Sequence, residues 1–92
     1  MIRSFRCQET RAIHEGFGCR KFHGIEEQAR KRLRWLDAAT SLADLRAIRG
    51  NRLEALKGER AGQYSVRVND RWRVCSSWRE GNVYDVEIVD YH

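Results

Sequence analysis

The chain of 92 residues has no proline. It therefore carries no proline-rich spacer or rigid linker, and at this length one domain, residues 1–92, with a small core is expected. No apolar run approaches the roughly 20 residues that a membrane helix needs, so no membrane partner is expected. The opening Met1-Ile2-Arg3-Ser4-Phe5-Arg6 lacks an apolar h-region, which argues against secretion and for a cytoplasmic protein. Cysteine is scarce as well. Cys7, Cys19 and Cys75 are odd in number, widely spaced and without a CxxC pair, which argues against a disulfide framework. Reduced thiols are expected, with Cys75 packed in a strand. His14 and His23 have no ligand-spaced partners, so neither a metal nor another cofactor is expected.

Lysine is the other scarcity. Of 18 basic residues only Lys21, Lys31 and Lys57 are lysines; the rest are arginines, against 13 acids, for a net charge of +5. The arginine fork suits phosphates and stacks on bases. A basic, arginine-rich domain with three tryptophans fits a polyanion partner, nucleic acid most simply. Composition alone fits a merely soluble basic surface equally well. Placement of the charges decides between them.

Residues 2–5 alternate in polarity and predict a first strand, and residues 8–15 a short helix stopped by Gly16 and Gly18. The strongest helical pattern is residues 25–38, where Ile25, Ala29, Leu33 and Leu36 form one stripe. Its outer face offers the i,i+4 pairs Glu26–Arg30 and Glu27–Lys31. Arg30 and Arg34 on that face are candidates for RNA backbone binding, and the same run reads equally as the solvated side of an amphipathic helix. Ser41 with Asp44 has capping-box spacing and starts a short helix turning Leu42, Leu45 and Ile48 inward, with Gly50 beyond its end. The two helices are expected to pair antiparallel.

After Gly50 the period falls to two. Tyr64, Val66 and Val68 alternate with polar residues, as do Trp72, Val74, Ser76 and Trp78. Asn69-Asp70 and Gly81-Asn82 supply turns, and a long strand runs from Val83 towards His92. The fold class is α+β, with an N-terminal strand and a helical hairpin packed on one face of a mainly antiparallel sheet. A three-residue connection, residues 69–71, pairs Val68 with Trp72 and Val66 with Val74, whereas a two-residue turn spoils the apolar face. The favoured register sets Arg67 opposite Arg73 on the uncovered face. Like charges so placed are destabilising unless an anion joins them or Asp85 or Glu87 neutralises them. Arg67, and Arg71 in the connection, are therefore candidate RNA contacts.

Asp90-Tyr91-His92 brings an acid, a phenol and an imidazole to one strand end, with Asp90 and His92 on one side and Tyr91 on the other. Lys57, before Gly58, stands at another strand end. RNA cleavage through the 2′-OH needs a base, an acid and cations for the charge on phosphorus. Histidine carries protons near neutral pH, and Lys57, Arg67 and Arg73 are candidate charge stabilisers. From the residues alone, a nuclease and a non-catalytic nucleic-acid-binding module both stay open.

Residues 52–58 (RLEALKG), 62–70 (GQYSVRVND), 72–75 (WRVC) and 86–92 (VEIVDYH) together resemble the HigB branch of the RelE toxin superfamily. The opening residues 2–5 and residues 38–42 fit the same family, so the resemblance spans nearly the whole chain. It implies a RelE-like fold and a metal-independent endoribonuclease that cuts translated mRNA on the ribosome. It also implies a cognate helix-turn-helix antitoxin of the HigA type, with operator DNA bound only through the toxin–antitoxin complex. Carried over residue by residue, the catalytic positions are Lys57, Arg73, Asp90, Tyr91 and His92. Glu54 departs from the histidine of some members, and Ser76 and Ser77 replace larger apolar or basic residues, which thins the inner packing. A gyrase-directed branch shares the fold, but Lys57 with Asp90-Tyr91-His92 argues against it.

Overall fold

A computed structural model describes residues 1–90; Tyr91 and His92 lie outside the described residues. The elements are α1 (Gln8–His14), α2 (Glu26–Ala38), α3 (Leu42–Arg46), β1 (Glu54–Ala55), β2 (Gln63–Arg67), β3 (Trp72–Arg79) and β4 (Asn82–Asp90), with 3-10 turns at Arg20–Phe22 and Gly58–Arg60. The strands form one antiparallel sheet in the order β1-β2-β3-β4. This is the α+β arrangement that the change of period predicts.

The stripe on α2 is buried as its spacing requires, with Ala29, Leu33 and Leu36 packed among Val66, Val74 and Ile88 of the sheet. The helix lying against α2 is α1, rather than the expected α3. At five residues α3 is little more than one turn, too short to form a helical hairpin, and it serves to seat Leu45 in the core. Its cap forms as the spacing predicts. Ser41 Oγ accepts from the Asp44 amide at 3.3 Å, and Asp44 in turn accepts from the Thr40 amide at 2.9 Å and its hydroxyl at 3.1 Å. Those bonds, led by the Thr40 amide, hold the Asp44 carboxyl below its usual range.

The pairing expected along the outer face of α2 is different in the structure. Glu26 accepts from the Gly24 amide at 2.8 Å, while Glu27 meets Arg30 at i,i+3, 2.7 Å apart. The cause is Arg30 itself, whose guanidinium leans back to donate to the carbonyls of Ile13 at 2.8 Å and Phe17 at 3.2 Å.

Val83 and Val86 are both fully buried, yet three residues apart they would face opposite sides of a regular strand. A bulge resolves this. The β3–β4 register shifts between Cys75 and Ser77, and Asp85 absorbs the extra residue at φ +55°. The β3–β4 turn is Glu80-Gly81, one residue earlier than expected. Arg79 pairs with Asn82, and both turn residues have positive φ, +51° and +78°, as a two-residue type I′ hairpin needs.

The N-terminal segment runs parallel to β4 through bridges at Ile2–Val83 and Phe5–Val86. Where it departs, Thr10 takes over its role. The Thr10 side chain, fully buried, accepts from the Ile88 amide at 3.0 Å, so a hydroxyl stands in for a strand partner. Thr10→Val keeps the shape and leaves that buried amide unpaired, a cost of about 1–3 kcal/mol. Urea unfolding of this variant should show that loss with an unchanged slope.

Candidate active face

The hairpin register places the cations. Val66 pairs with Val74 and Arg67 with Arg73, and the Val68 amide donates to the Trp72 carbonyl at 3.0 Å. The connection is the three-residue one. Asn69 fixes it, its Oδ1 accepting from the amides of Arg71 at 2.9 Å and Trp72 at 2.8 Å. With Val66 and Val74 in the core, Arg67 and Arg73 project from the opposite, open face of the sheet.

The neighbouring acids are used in a particular way. Arg67 Nη2 meets Asp70 Oδ1 at 2.5 Å, and that hydrogen bond holds the Asp70 carboxyl below its usual range. Arg73 donates to the carbonyls of Asn69 and Trp72. Glu87 faces Arg60 at 3.3 Å and Arg6 at 4.0 Å, and Asp85 approaches the Ser4 hydroxyl at 3.5 Å. Arg67 is thus countered by Asp70 of the connection, a residue that the sequence reading did not consider for this role. Arg67 Nε is buried with no hydrogen-bond partner among the described residues.

A third arginine gathers at this end. Arg32 of α2 donates through Nε to the Arg67 carbonyl at 2.8 Å, and its guanidinium lies over Trp35, 4.7 Å from the ring centroid. Burial first, then the charge of Arg67, lowers its basicity. Composition and periodicity give no sign of this, because Arg32 reads as part of a solvated run.

Lys57 is exposed and caps the turn Gly58–Arg60. It lines a cavity of about 680 Å³ with Glu54, Ala55, Leu56, Glu59 and Arg60. The Leu56 amide bonds the Gln63 carbonyl, so Lys57 sits near the start of β2 and Arg67 at its end. Gln63 and Arg67 are four residues apart on β2, roughly 13 Å at about 3.3 Å per residue. The candidates on the open face are therefore spread along it.

Asp90 pairs with Trp72 and Val89 with Arg73, so Asp90 shares the face of Trp72 rather than that of Arg73. Arg71 grips its carboxylate, Nε and Nη2 lying 3.0 and 2.9 Å from Oδ2, and this bond raises the basicity of Arg71. Arg30 is committed to Ile13, Phe17 and Glu27. Arg34 is exposed on α2, across the sheet from Arg67 and Arg73. The structure thus joins Arg67 with Arg73 and Arg71 with Asp90 at one end, and leaves Arg30 and Arg34 elsewhere. Tyr91 and His92, the remaining candidates, fall outside the described residues.

Between the two ends Cys75 is packed in its strand as expected, while the part taken there by Ser65 and Arg60 is one that sequence reasoning missed. Ser65 and Cys75 pair across β2 and β3 on the open face, yet are 2% and 1% exposed. Arg60 lies across the sheet here, donating to Gln63 at 3.0 Å and Glu87 at 3.3 and 3.4 Å. Among the described residues no group of three or more His, Cys, Asp and Glu is placed to hold a metal ion. Nor is any helix among them long and apolar enough to cross a membrane.

Fold and face together define a small basic α+β protein with cations arrayed on an open antiparallel sheet. A family described as the RelE-like toxin of type II toxin-antitoxin system HigB matches residues 17–92. The chain belongs to this HigB-like toxin family. It is 42% identical over 57 residues to Toxin HigB-1 of Vibrio cholerae serotype O1 (strain ATCC 39315 / El Tor Inaba N16961), a match covering 62% of this chain and 60% of the relative. It is 37% identical over 62 residues to Endoribonuclease HigB of Proteus vulgaris, covering 66% of this chain and 65% of the relative. Each match spans less than two thirds of the relative's length.

Burial pushes the Cys75 thiol up from its ordinary value, whereas Cys7 and Cys19 are only partly buried. Since the thiolate is the reactive form, Cys75 should be alkylated on the order of tenfold or more slowly than the other two in native protein. In denaturant all three should react alike. Peptide mapping after timed iodoacetamide labelling measures this.

Proposed function

We propose that this chain is the toxin of a type II toxin–antitoxin pair, a metal-independent endoribonuclease that cuts translated mRNA in the cytoplasm. The observation that carries the reading is Arg67 set directly opposite Arg73 on the open face of a chain in the HigB-like toxin family. Asp70 meets Arg67 from the connection, and two guanidiniums side by side on an open face present paired donors suited to an RNA phosphate. One relative is named an endoribonuclease.

In the proposed chemistry a base takes the proton from a 2′-OH, whose oxygen attacks the adjacent phosphorus. The bond to the 5′-oxygen breaks as an acid protonates that leaving group. Lys57 and Arg73 stabilise the charge that builds on phosphorus, which requires the Arg73 guanidinium to leave the Asn69 and Trp72 carbonyls and turn along the face towards Lys57. Tyr91 and His92 supply proton transfer, histidine being suited to it near neutral pH; Asp90, on the face of Trp72 rather than that of Arg73, assists from the strand end that precedes them. Arg71 holds Asp90 at the strand end, and Arg67 binds RNA. Arg30 belongs to the scaffold, because its donors are taken up within the chain, and Arg34 is at most a peripheral contact.

The face is open, so aligning the 2′-OH for in-line attack falls to the ribosome. The inactivating partner is a helix-turn-helix antitoxin of the HigA type, and operator DNA is bound only by the complex.

The test is cleavage of a translated message by purified protein beside the same RNA without ribosomes. Rapid cutting is expected only with ribosomes. Lys57→Ala and Arg73→Ala should each slow it by roughly 10² or more, and Arg34→Ala should leave it nearly unchanged. Equal cutting of naked RNA would remove the ribosome from the mechanism, and inhibition of DNA supercoiling without RNA cutting would favour the gyrase-directed class. His92→Ala should slow cutting by about 10²–10⁴-fold while keeping the wild-type melting curve and antitoxin capture. A fully active variant would take His92 out of the proton path.

A further inference from the structure

We propose that Arg60 and Glu87 are positioning residues for Lys57, holding the turn that carries it against the open face of the sheet; this rests on the nuclease reading above. Little else fixes that lysine. The strand before it, β1, has two residues, both exposed, pairs with β2 at Glu54–Ser65 and Ala55–Tyr64, and is followed by one last backbone bond to the sheet, from the Leu56 amide to the Gln63 carbonyl at 2.9 Å. The turn after it is flanked by Gly58 at φ +65° and Gly62 at φ +93°, residues whose backbone resists pivoting least. Within the turn, the Arg60 amide donates to the Lys57 carbonyl at 3.3 Å and the Ala61 amide to Gly58 at 3.1 Å. These bonds shape the turn without anchoring it to the sheet.

The anchor is the Arg60 side chain. Its two terminal nitrogens reach Glu87 Oε1 on β4 at 3.3 and 3.4 Å, and one of them also reaches Gln63 Oε1 on β2 at 3.0 Å. The turn beyond edge strand β1 is thereby tied across the face to the far strand. The side chains of Arg60 and Glu87 are 38% and 23% exposed, so solvent screens the pair less than one standing free on the surface. Ser65 and Cys75 are buried beside it, and the Cys75 thiol senses Arg60, Glu87 and Arg73 together. The clamp therefore occupies the middle of the face, between Lys57 and Arg73. Arg6 of the N-terminal segment lies 4.0 Å from the same Glu87 oxygen, which ties the clamp to the covered edge of β4. A catalytic cation on a long, flexible stem depends on where its backbone is held, and misplacement by about 1 Å can cost 10²-fold in rate.

Glu87→Gln tests this, because it keeps the size of the side chain and removes its charge. Cutting of translated mRNA should fall about tenfold or more with an unchanged melting curve, since a half-exposed ion pair adds little stability. Amide exchange at Arg60 and Ala61 should quicken while the β3 and β4 core amides keep their protection. In a Lys57→Ala background Glu87→Gln should cause no further loss, because the two changes remove one effect. Faster exchange with unchanged cutting overturns the positioning role, and unchanged exchange overturns the clamp. Losses that multiply in the double variant also overturn it, by assigning Arg60 or Glu87 a role independent of Lys57. A wild-type chain that cuts no translated message, while Glu87→Gln still quickens exchange at Arg60 and Ala61, removes the nuclease reading and with it the purpose of the clamp.

Discussion

The register between β2 and β3 is held at its closed end by one side chain. Asn69 Oδ1 accepts from two successive amides, Arg71 and Trp72, and so fixes a three-residue connection where a two-residue turn would shift every pair. The alternation of side chains then leaves no choice. Val66 and Val74 enter the core, and Arg67 and Arg73 emerge together on the other side. The apposition of that pair comes with the burial of the valines, and its repulsion, eased at Arg67 by Asp70, is smaller than what burial contributes. Fully burying one such side chain contributes roughly 1.5–3 kcal/mol, whereas opposed charges on a strand pair cost on the order of 1 kcal/mol or less. The cationic end of the face and the apolar core are two results of one constraint.

The arginine excess divides into two uses. Arg30, Arg32, Arg60 and Arg71 are spent largely on the chain itself, on the carbonyls of Ile13, Phe17 and Arg67 and the carboxylates of Glu27, Glu87 and Asp90. Lysine does not replace them easily. Arg60 and Arg71 each present two nitrogens to one carboxylate oxygen, and Arg30 reaches three acceptors at once, which a point charge on a flexible stem cannot do. A high arginine count thus signals two things in this chain, a polyanion partner and a scaffold whose long connections are tied by guanidinium forks. Charge counts do not separate them.

Those two uses also mark what the sequence could convey. Period-two alternation carried the β2–β3 register down to individual pairs, because only one register puts Val66, Val68 and Val74 inside. The stripe of α2 and the serine cap of α3 are local patterns, and both appear. The departures arise where a distant partner decides. Glu26 and Glu27 have good i,i+4 partners in sequence, but the Ile13 and Phe17 carbonyls redirect Arg30. The bulge at Asp85 had a signal in the three-residue spacing of Val83 and Val86, two apolar residues that a regular strand cannot both bury. The Arg60–Glu87 link joins residues 27 apart and no periodicity contains it. At the proposed site, the residue types were legible while their separation along β2 was not, since nothing in a motif says that Lys57 and Arg67 sit at opposite ends of one strand.

That separation bears on how such a face works. With Lys57 near one end of β2, Arg67 and Arg73 at the other and Arg60 across the middle, the cations form a track rather than a pocket. A track holds a backbone of repeated phosphates and grips a single phosphodiester poorly. On the nuclease reading, binding along the track and chemistry at one bond are therefore distinct demands, the first met by the array and the second by substrate held in a fixed conformation. In-line attack requires the 2′-oxygen, phosphorus and leaving oxygen to be aligned, and an open sheet face has no wall to impose that alignment on a flexible strand. On that reading, delivery of the message by a larger particle would supply the missing wall, so the proposed ribosome dependence follows from the shape of the face.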